Sequence, residues 1–529
     1  MSEPVSRREF MNLVGATFGT GALIRLGSAL RLMPAAGALS VPALAAPAAG
    51  KGRVAILGAG ISGLTVAWEL TKAGYECTVL EASNRAGGRI MTVRSGDTVD
   101  EIGNRQVCEW DNEPHMYFNA GAARIPSTHR NLLHYCKELG VELEVFINES
   151  KTAYVQDDAI LGGKPIRNGE LSTNVRGFLA ELFAKSFSQA QLEEPFSEAE
   201  SETIMRLIRS FGDLDEDKLY KGSSRAGYVS GGFLDHGVLK EMVAFRDVMK
   251  SRFLGTTLTA NEGETGPLLM QPVGGMDMII KGFTRALGDK VIYQAQVAGM
   301  QIADDGVDVA FDHNGSRETL SVDYCFNCIP AHLMTGIPHN FPPEYLHAMK
   351  YIRRGEAYKA AFQAKERFWE KDDIYGGISW VNAPIGQVWY PSHGIHKAKG
   401  VILAAYNFGG GMHFTKMPQA ERVEALLAQG EKLHSDYRQM VEKPITIAWH
   451  RINHMLGCSA RWQRSPGGWT HEEEALFATL QQPVNGRHYF IGDQVSYHGA
   501  WQESAILSAH WALADLDQRL RSATAESGA

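Results

Sequence analysis

The apolar positions change period early in the chain. Arg53-Val54-Ala55-Ile56-Leu57 holds a short continuous apolar run, the pattern of a strand buried on both faces. After Gly58-Ala59-Gly60-Ile61-Ser62-Gly63, apolar residues recur at helical spacing through Leu64, Ala67, Trp68 and Leu70, and Gly74 ends the helix. Cys77-Thr78-Val79-Leu80 is strand-like again and stops at Glu81. Further strands are expected at Tyr324–Ile329 and from Arg487 to the acid Asp493, and Lys359 falls in another. Helical spacing appears at Phe178–Leu182, Ile204–Ile208 and Leu239–Phe245, within a charged stretch of about 166–264.

A strand, a glycine turn, a helix and a second strand ending in an acid predict a dinucleotide site. Gly58 permits the tight turn, Gly60 lets the backbone approach a pyrophosphate, and Gly63 lets helix and strand pack closely. The helix N-terminus, with Ser62 in its first turn, offers free N–H groups and partial positive charge. Glu81 is spaced to accept from a ribose hydroxyl, which disfavours a 2′-phosphate. Glu81-Ala82-Ser83-Asn84-Arg85-Ala86-Gly87-Gly88-Arg89 adds a second Gly/Arg cluster, in which Arg89 can pair with a phosphate.

Composition changes this picture little. At 529 residues, 44% apolar and 21% charged, the chain has ample core and length for two or three domains. A formal charge of −8 leaves no basic footprint for nucleic acid. Six cysteines are too few for a disulfide framework. Cys325 and Cys328 have redox spacing but sit in a strand, where i and i+3 face opposite ways. No HExxH or paired CxxC calls for a metal. The N-terminus is informative. Ser6-Arg7-Arg8-Glu9-Phe10-Met11, a Gly/Ala-rich apolar run and a small-residue site at Ala43-Leu44-Ala45 read as a twin-arginine export signal over residues 1–45. The mature protein is therefore expected in the periplasm or secreted, with no integral membrane segment.

The Glu81–Arg89 continuation resembles the extended fingerprint of the flavin amine oxidase superfamily. Gln271-Pro272-Val273-Gly274-Gly275-Met276-Asp277, the strand pair near Val297, and the C-terminal Gly492-Asp493 with His498-Gly499-Ala500-Trp501-Gln502-Glu503-Ser504 are similar to the same family. The resemblance implies FAD, held non-covalently, with a thioether at Cys458 as the alternative. It implies that Val297 touches adenine through its backbone, that Asp493 bonds the ribityl chain, and that the backbone at Trp501–Gln502 faces the pyrimidine end. The implied fold class is α/β. It has a discontinuous Rossmann-like FAD-binding domain (51–115, 265–330 and 480–525), a mixed-sheet substrate domain (116–165 and 331–479) and an inserted helical domain (166–264).

Three positions resemble the L-amino acid oxidase branch. Asn119-Ala120-Gly121-Ala122-Ala123-Arg124-Ile125-Pro126 is similar to the segment whose arginine grips the substrate carboxylate, with Ala122, Ala123 and Arg124 against the flavin. Val388-Trp389-Tyr390-Pro391 is similar to the segment whose tyrosine adds a hydroxyl there, so Tyr390 is expected in the site. Lys359 falls where the family's lysine holds a water at flavin N5. The substrate amine is expected near the Ala500 carbonyl and its Cα near Trp501. The implied reaction is hydride transfer from Cα of an L-amino acid to the flavin, with O2 reduced to hydrogen peroxide and the imino acid hydrolysed to a 2-oxo acid and ammonia. An amine or polyamine oxidase, and an amino-acid 2-monooxygenase giving an amide and CO2, remain alternatives. Oligomeric state stays open; the resemblance adds a homodimer as one option.

Overall fold

Strand Arg53–Leu57 lies at the centre of a five-stranded, wholly parallel sheet. The order is Val291–Ile292, Glu76–Leu80, Arg53–Leu57, Tyr324–Asn327 and His488–Phe490. The computed structural model describes residues 41–48, 52–186, 197–259, 262–409, 411–462 and 469–527. The twin-arginine motif and the apolar run after it lie outside the described residues. Of the small-residue site, Leu44 packs on the core and the Ala45 N–H donates to Asp517 at 2.8 Å.

The continuous apolar run of the central strand is used on both faces. Val54 and Ile56 join the core under helices Ile61–Lys72, Asp277–Leu287 and Gln502–Ser527. Ala55 and Leu57 face the opposite core, roofed by the antiparallel meander Gln296–Ile302, Val307–His313 and Ser316–Val322. Full burial of Val54, Ile56 or Leu57 is worth roughly 1.5–3 kcal/mol each, so a polar residue at either parity would be costly. Cys325 and Cys328 divide between the same two cores. Both are free thiols.

The second layer is a seven-stranded mixed sheet ordered Ile166–Arg167, Tyr154–Gln156, Gly377–Val381, Gln387–Tyr390, Gly400–Phe408, Ala357–Ala364 and Val441–Ala448. Its pairs are antiparallel except Tyr154–Gln156 with Gly377–Val381. Tyr358, Phe362, Val388 and Tyr390 pack on its back face, and Ile378, Trp389 and Leu403 on its front. The α/β class with one parallel and one mixed sheet is as the sequence leads one to expect.

Helices Asn168–Ser186 and Glu198–Gly212 contain the helical patterns at Phe178–Leu182 and Ile204–Ile208. The pattern at Leu239–Phe245 does not make a helix. Val238–Leu239 pairs with Tyr228–Ser230 as a hairpin, and the chain stays irregular until the short helix Phe245–Val248. Two local interactions override the periodicity: Gly231, Gly232 and Gly237 pack against one another and Tyr228, and the Val243 N–H donates to Asn174 at 3.2 Å. No helix among the described residues is long and apolar enough to cross a membrane.

Candidate active site

A cavity of about 730 Å3 runs from the carboxyl end of the parallel sheet to the front face of the mixed sheet, within the range of cofactor pockets. At its first end the turn after strand Arg53–Leu57 does what its glycines suggest. Gly58 has φ +100°, which a side chain rarely adopts. A Cβ on Gly63 would lie 2.2 Å from the Gly58 carbonyl oxygen, so this glycine fixes helix-to-strand packing rather than lining the cavity. Gly60, by contrast, has nothing within 4 Å of where its Cβ would be. It caps helix Ile61–Lys72 without a side-chain hydrogen bond, and no acid sits in the first turn. An unscreened helix N-terminus opening onto a cavity fits a diphosphate. Glu81 is held by the Ala59 N–H at 2.8 Å and by Ser83, with its carboxylate on the cavity wall beside Ala82.

Further along, Arg89 and Asp493 form a two-pronged ion pair at 2.5 and 2.8 Å. The strand His488–Phe490 delivers Asp493 through Gly492 at φ +113°. Asp493 also accepts from the Ala460 N–H, and a second guanidinium, Arg354, stands 3.7 Å away. Two arginines hold the carboxyl far below the ordinary range, against the opposing effect of burial. Burial and the neighbouring Arg89 pull Arg354 down to about 10, with Asp493 opposing. Arg354 stands behind the cavity wall, donating to Gln494 at 2.5 Å and to the Cys458 carbonyl at 3.2 Å, so it buttresses the Arg89–Asp493 pair. Arg354 carried no signal in the sequence; it lies at a strand end with no motif around it. Asp493 borders the cavity while its carboxylate pairs with Arg89.

Lys359 projects from the front face of strand Ala357–Ala364 and is 2% exposed. Its Nζ donates to the carbonyls of Asn119 at 3.0 Å and Gly121 at 2.6 Å, which leaves one hydrogen for the cavity when the amine is charged. Burial lowers its pKa to about 7; Cys458 opposes this and Arg124 adds to it. Lys359 thus ties down the Asn119–Arg124 segment and can hold or release a proton near neutrality. Trp449 supports the same segment by donating to the Ala120 carbonyl at 3.0 Å.

Arg124 is half-buried between this cavity and a second one of about 320 Å3. Its guanidinium lies 5.0 Å over the Trp389 ring and donates to Asn148. Among the described residues no carboxylate pairs with it, and burial pulls its pKa below the usual arginine value. A buried guanidinium without a counter-charge is costly unless an anion arrives.

The tyrosine beside it is not Tyr390. Strand alternation sends Trp389 to the front face and Tyr390 to the back, where its hydroxyl bonds His434 at 2.7 Å and Ser379 at 2.9 Å. Tyr390 does not line the cavity. Tyr406 does, with its ring 4.6 Å from Lys359 Nζ and 5.3 Å from the Trp389 ring. Simple alternation from Leu403 would turn Tyr406 to the back. A bulge at Ala404, where Leu403 opposes Ala361 and Ala405 opposes Ala360, brings Tyr406 forward.

At the far end Ala500 has φ +75°, a sparsely populated conformation for a residue with a side chain. It sets Trp501 and Gln502 at the N-terminus of helix Gln502–Ser527, on the cavity wall. His129 meets the Trp501 ring edge-on at 5.0 Å. Gly58, Gly60, Ser62, Glu81, Ala82, Gly88, Arg89, Ala122, Ala123, Arg124, Val297, Lys359, Gly492, Asp493, Ala500, Trp501 and Gln502 all border the one cavity; of the expected site residues, only Gly63 and Tyr390 do not. Cys458 borders it too. Burial pushes its thiol up, with Arg89 and Lys359 opposing, so it is held protonated rather than as a nucleophilic thiolate.

Comparison with known proteins agrees with this geometry. The sequence profile described as flavin containing amine oxidoreductase matches residues 61–512. The chain is 27% identical over 496 residues to the flavin-dependent L-tryptophan oxidase of Lentzea aerocolonigenes, covering 87% of this chain and 97% of that protein. It is 28% identical over 484 residues to the L-amino acid oxidase of Bothrops pictus, covering 88% and 90%. Among solved structures, putrescine oxidase bound to putrescine has a TM-score of 0.58 at 19% identity, covering 89% of this chain and 99% of that one. Cyclohexylamine oxidase from Brevibacterium oxydans has 0.57 at 17%, covering 89% and 100%. These two share the fold.

Proposed function

The chain belongs to the flavin containing amine oxidoreductases, and from that premise we propose that it is an FAD-dependent oxidase of L-amino acids. The observation that carries this reading is Arg124, a guanidinium without a carboxylate partner among the described residues, on the wall shared by two cavities. A simple amine would leave that charge uncompensated; an α-carboxylate compensates it through two parallel hydrogen bonds.

FAD, when bound, would supply the acceptor for a hydride from the substrate's α-carbon and the reductant for O2. The chain's own residues bind, orient and manage protons. Arg124 and the Tyr406 hydroxyl hold the carboxylate, which fixes where the α-carbon sits and removes rotational freedom before reaction. Trp389 and Trp501 wall the substrate and exclude water. Lys359, poised near neutrality, holds a proton at Nζ for the reaction with O2. Gly60, Arg89 and the N-terminus of helix Ile61–Lys72 hold the diphosphate. The L-tryptophan and L-amino acid oxidases among the relatives support the same substrate class. The Arg7-Arg8 motif supports export of the loaded protein.

The test is hydrogen peroxide and ammonia release by the purified yellow protein across the L-amino acids, with D-amino acids, putrescine and cyclohexylamine alongside. Equal peroxide and ammonia from L-amino acids alone is expected. Peroxide from the amines alone would sink the proposal, and an amide with CO2 would make the protein a monooxygenase.

A further inference from the structure

The second cavity, of about 320 Å3, adjoins the first across Arg124, Tyr406 and Phe408. One wall is the front face of the mixed sheet, where Trp380 and Gln387 stand on directly paired residues. The other comes from the insert, through Thr256 and Thr259 of helix Leu254–Thr259. Arg124 is the one charged residue among the described residues that line it. Two carboxylates adjoin wall residues in sequence and neither lines the cavity: Glu149 follows Asn148, and Glu264, beside Thr265, is turned to His129 at 3.0 Å and His498 at 3.4 Å. Once a substrate carboxylate occupies Arg124, the described residues of the chamber offer aromatic edges, amides and hydroxyls and no counter-charge of either sign. An ammonium, a guanidinium or a second carboxylate entering it would lose its water with nothing to replace it. A large neutral side chain would gain apolar burial there and lose little.

We propose that this cavity receives the substrate's side chain and restricts the enzyme to L-amino acids with large neutral side chains, with Trp380 and Gln387 from the sheet and Thr256 from the insert as its specificity determinants. The inference rests on the amino acid reading above. Gln387 is the informative position. Its Oε1 accepts from Trp389 Nε1 at 2.7 Å, which fixes the side chain's direction. Gln387→Glu keeps that acceptor and adds a negative charge to the wall. Thr256→Asp adds one from the opposite side, on a different element.

The test compares peroxide release by the parent flavoprotein and both variants with L-leucine, L-phenylalanine, L-alanine, L-lysine, L-arginine and L-glutamate. In the parent, kcat/KM for leucine and phenylalanine should exceed that for lysine, arginine and glutamate by about 100-fold or more, because a charge that gives up water there finds no partner among the lining residues. In at least one variant the ratio of lysine or arginine to phenylalanine should rise by about tenfold or more. A parent that turns over lysine or glutamate as well as phenylalanine overturns the inference and leaves the amino acid reading standing. So does a ratio unchanged in both folded variants. Peroxide from an amine and from no L-amino acid removes the amino acid reading itself.

Discussion

A guanidinium kept half-buried without a carboxylate partner destabilises the free protein, and among the described residues Arg124 is kept that way between two cavities. Arg124→Met should therefore lower kcat/KM for an L-amino acid by about 100- to 1,000-fold, mostly through KM, as expected for losing one partner of a charged, hydrogen-bonded pair. Flavin content, read from the visible spectrum, should not change. The two tyrosines separate a site role from a packing role. Tyr406→Phe should cost about tenfold in kcat/KM for a lost hydroxyl at the site. Tyr390→Phe should leave kcat/KM unchanged but destabilise by about 1–3 kcal/mol in denaturant unfolding, because His434 and Ser379 lose a buried partner. Lys359 adds a pH signature. Its folded pKa of about 7 lies below the ordinary 10.5, so between these values the unfolded chain binds more protons and stability rises with pH. Lys359→Met forfeits the two hydrogen bonds to Asn119 and Gly121 at every pH, so its thermal stability relative to the parent should be most favourable below about pH 7 and should fall steadily towards about pH 10.

Elements place these residues, and here the sequence was legible in part. The strand–turn–helix at Arg53–Lys72 was readable because glycine spacing, apolar period and the closing acid all point to one geometry. Its two inner glycines now make opposite predictions. A Cβ on Gly60 meets nothing in the protein, so Gly60→Ala should fold with unchanged stability yet lose flavin affinity, measured by titrating the apoprotein. A Cβ on Gly63 meets the Gly58 carbonyl, so Gly63→Ala should lower the melting temperature of the apoprotein itself. Tyr406 was not legible. Nothing in Gly400–Phe408 announces the extra residue at Ala404, and without the bulge Tyr406 belongs to the back face. Tyr390 failed for the complementary reason: the segment was right, but strand parity gives the cavity Trp389. The hairpin at Tyr228–Leu239 was missed because glycine packing set the backbone against a helical pattern.

At the scale of the molecule, one cavity spans two sheets, and residues from Gly58 to Ala505 border it. A chain order that leaves and re-enters the parallel sheet at Val291, Tyr324 and His488 brings Arg89 to Asp493 across 404 positions and Lys359 to Asn119 across 240. Such pairings carry no local signature, which is why Arg354 and the second cavity emerged only from the structure while the glycine turn did not wait for it. Thr256 and Thr259 bring the stretch 166–264, the part of the chain with the least motif content, to the wall of the second cavity, and the proposed side-chain role of that cavity would tie substrate choice to it. The central claim is that a carboxylate on Arg124 distinguishes substrate from simple amine. The direct measurement is anaerobic bleaching of the flavin absorbance by L-phenylalanine and by phenethylamine, the same molecule without its carboxylate, in the parent and in Arg124→Met. Rapid bleaching of the parent by L-phenylalanine, little by phenethylamine, and loss of that preference in Arg124→Met is the expected result. Equal bleaching by both compounds in the parent, or a preference that survives in Arg124→Met, would contradict it.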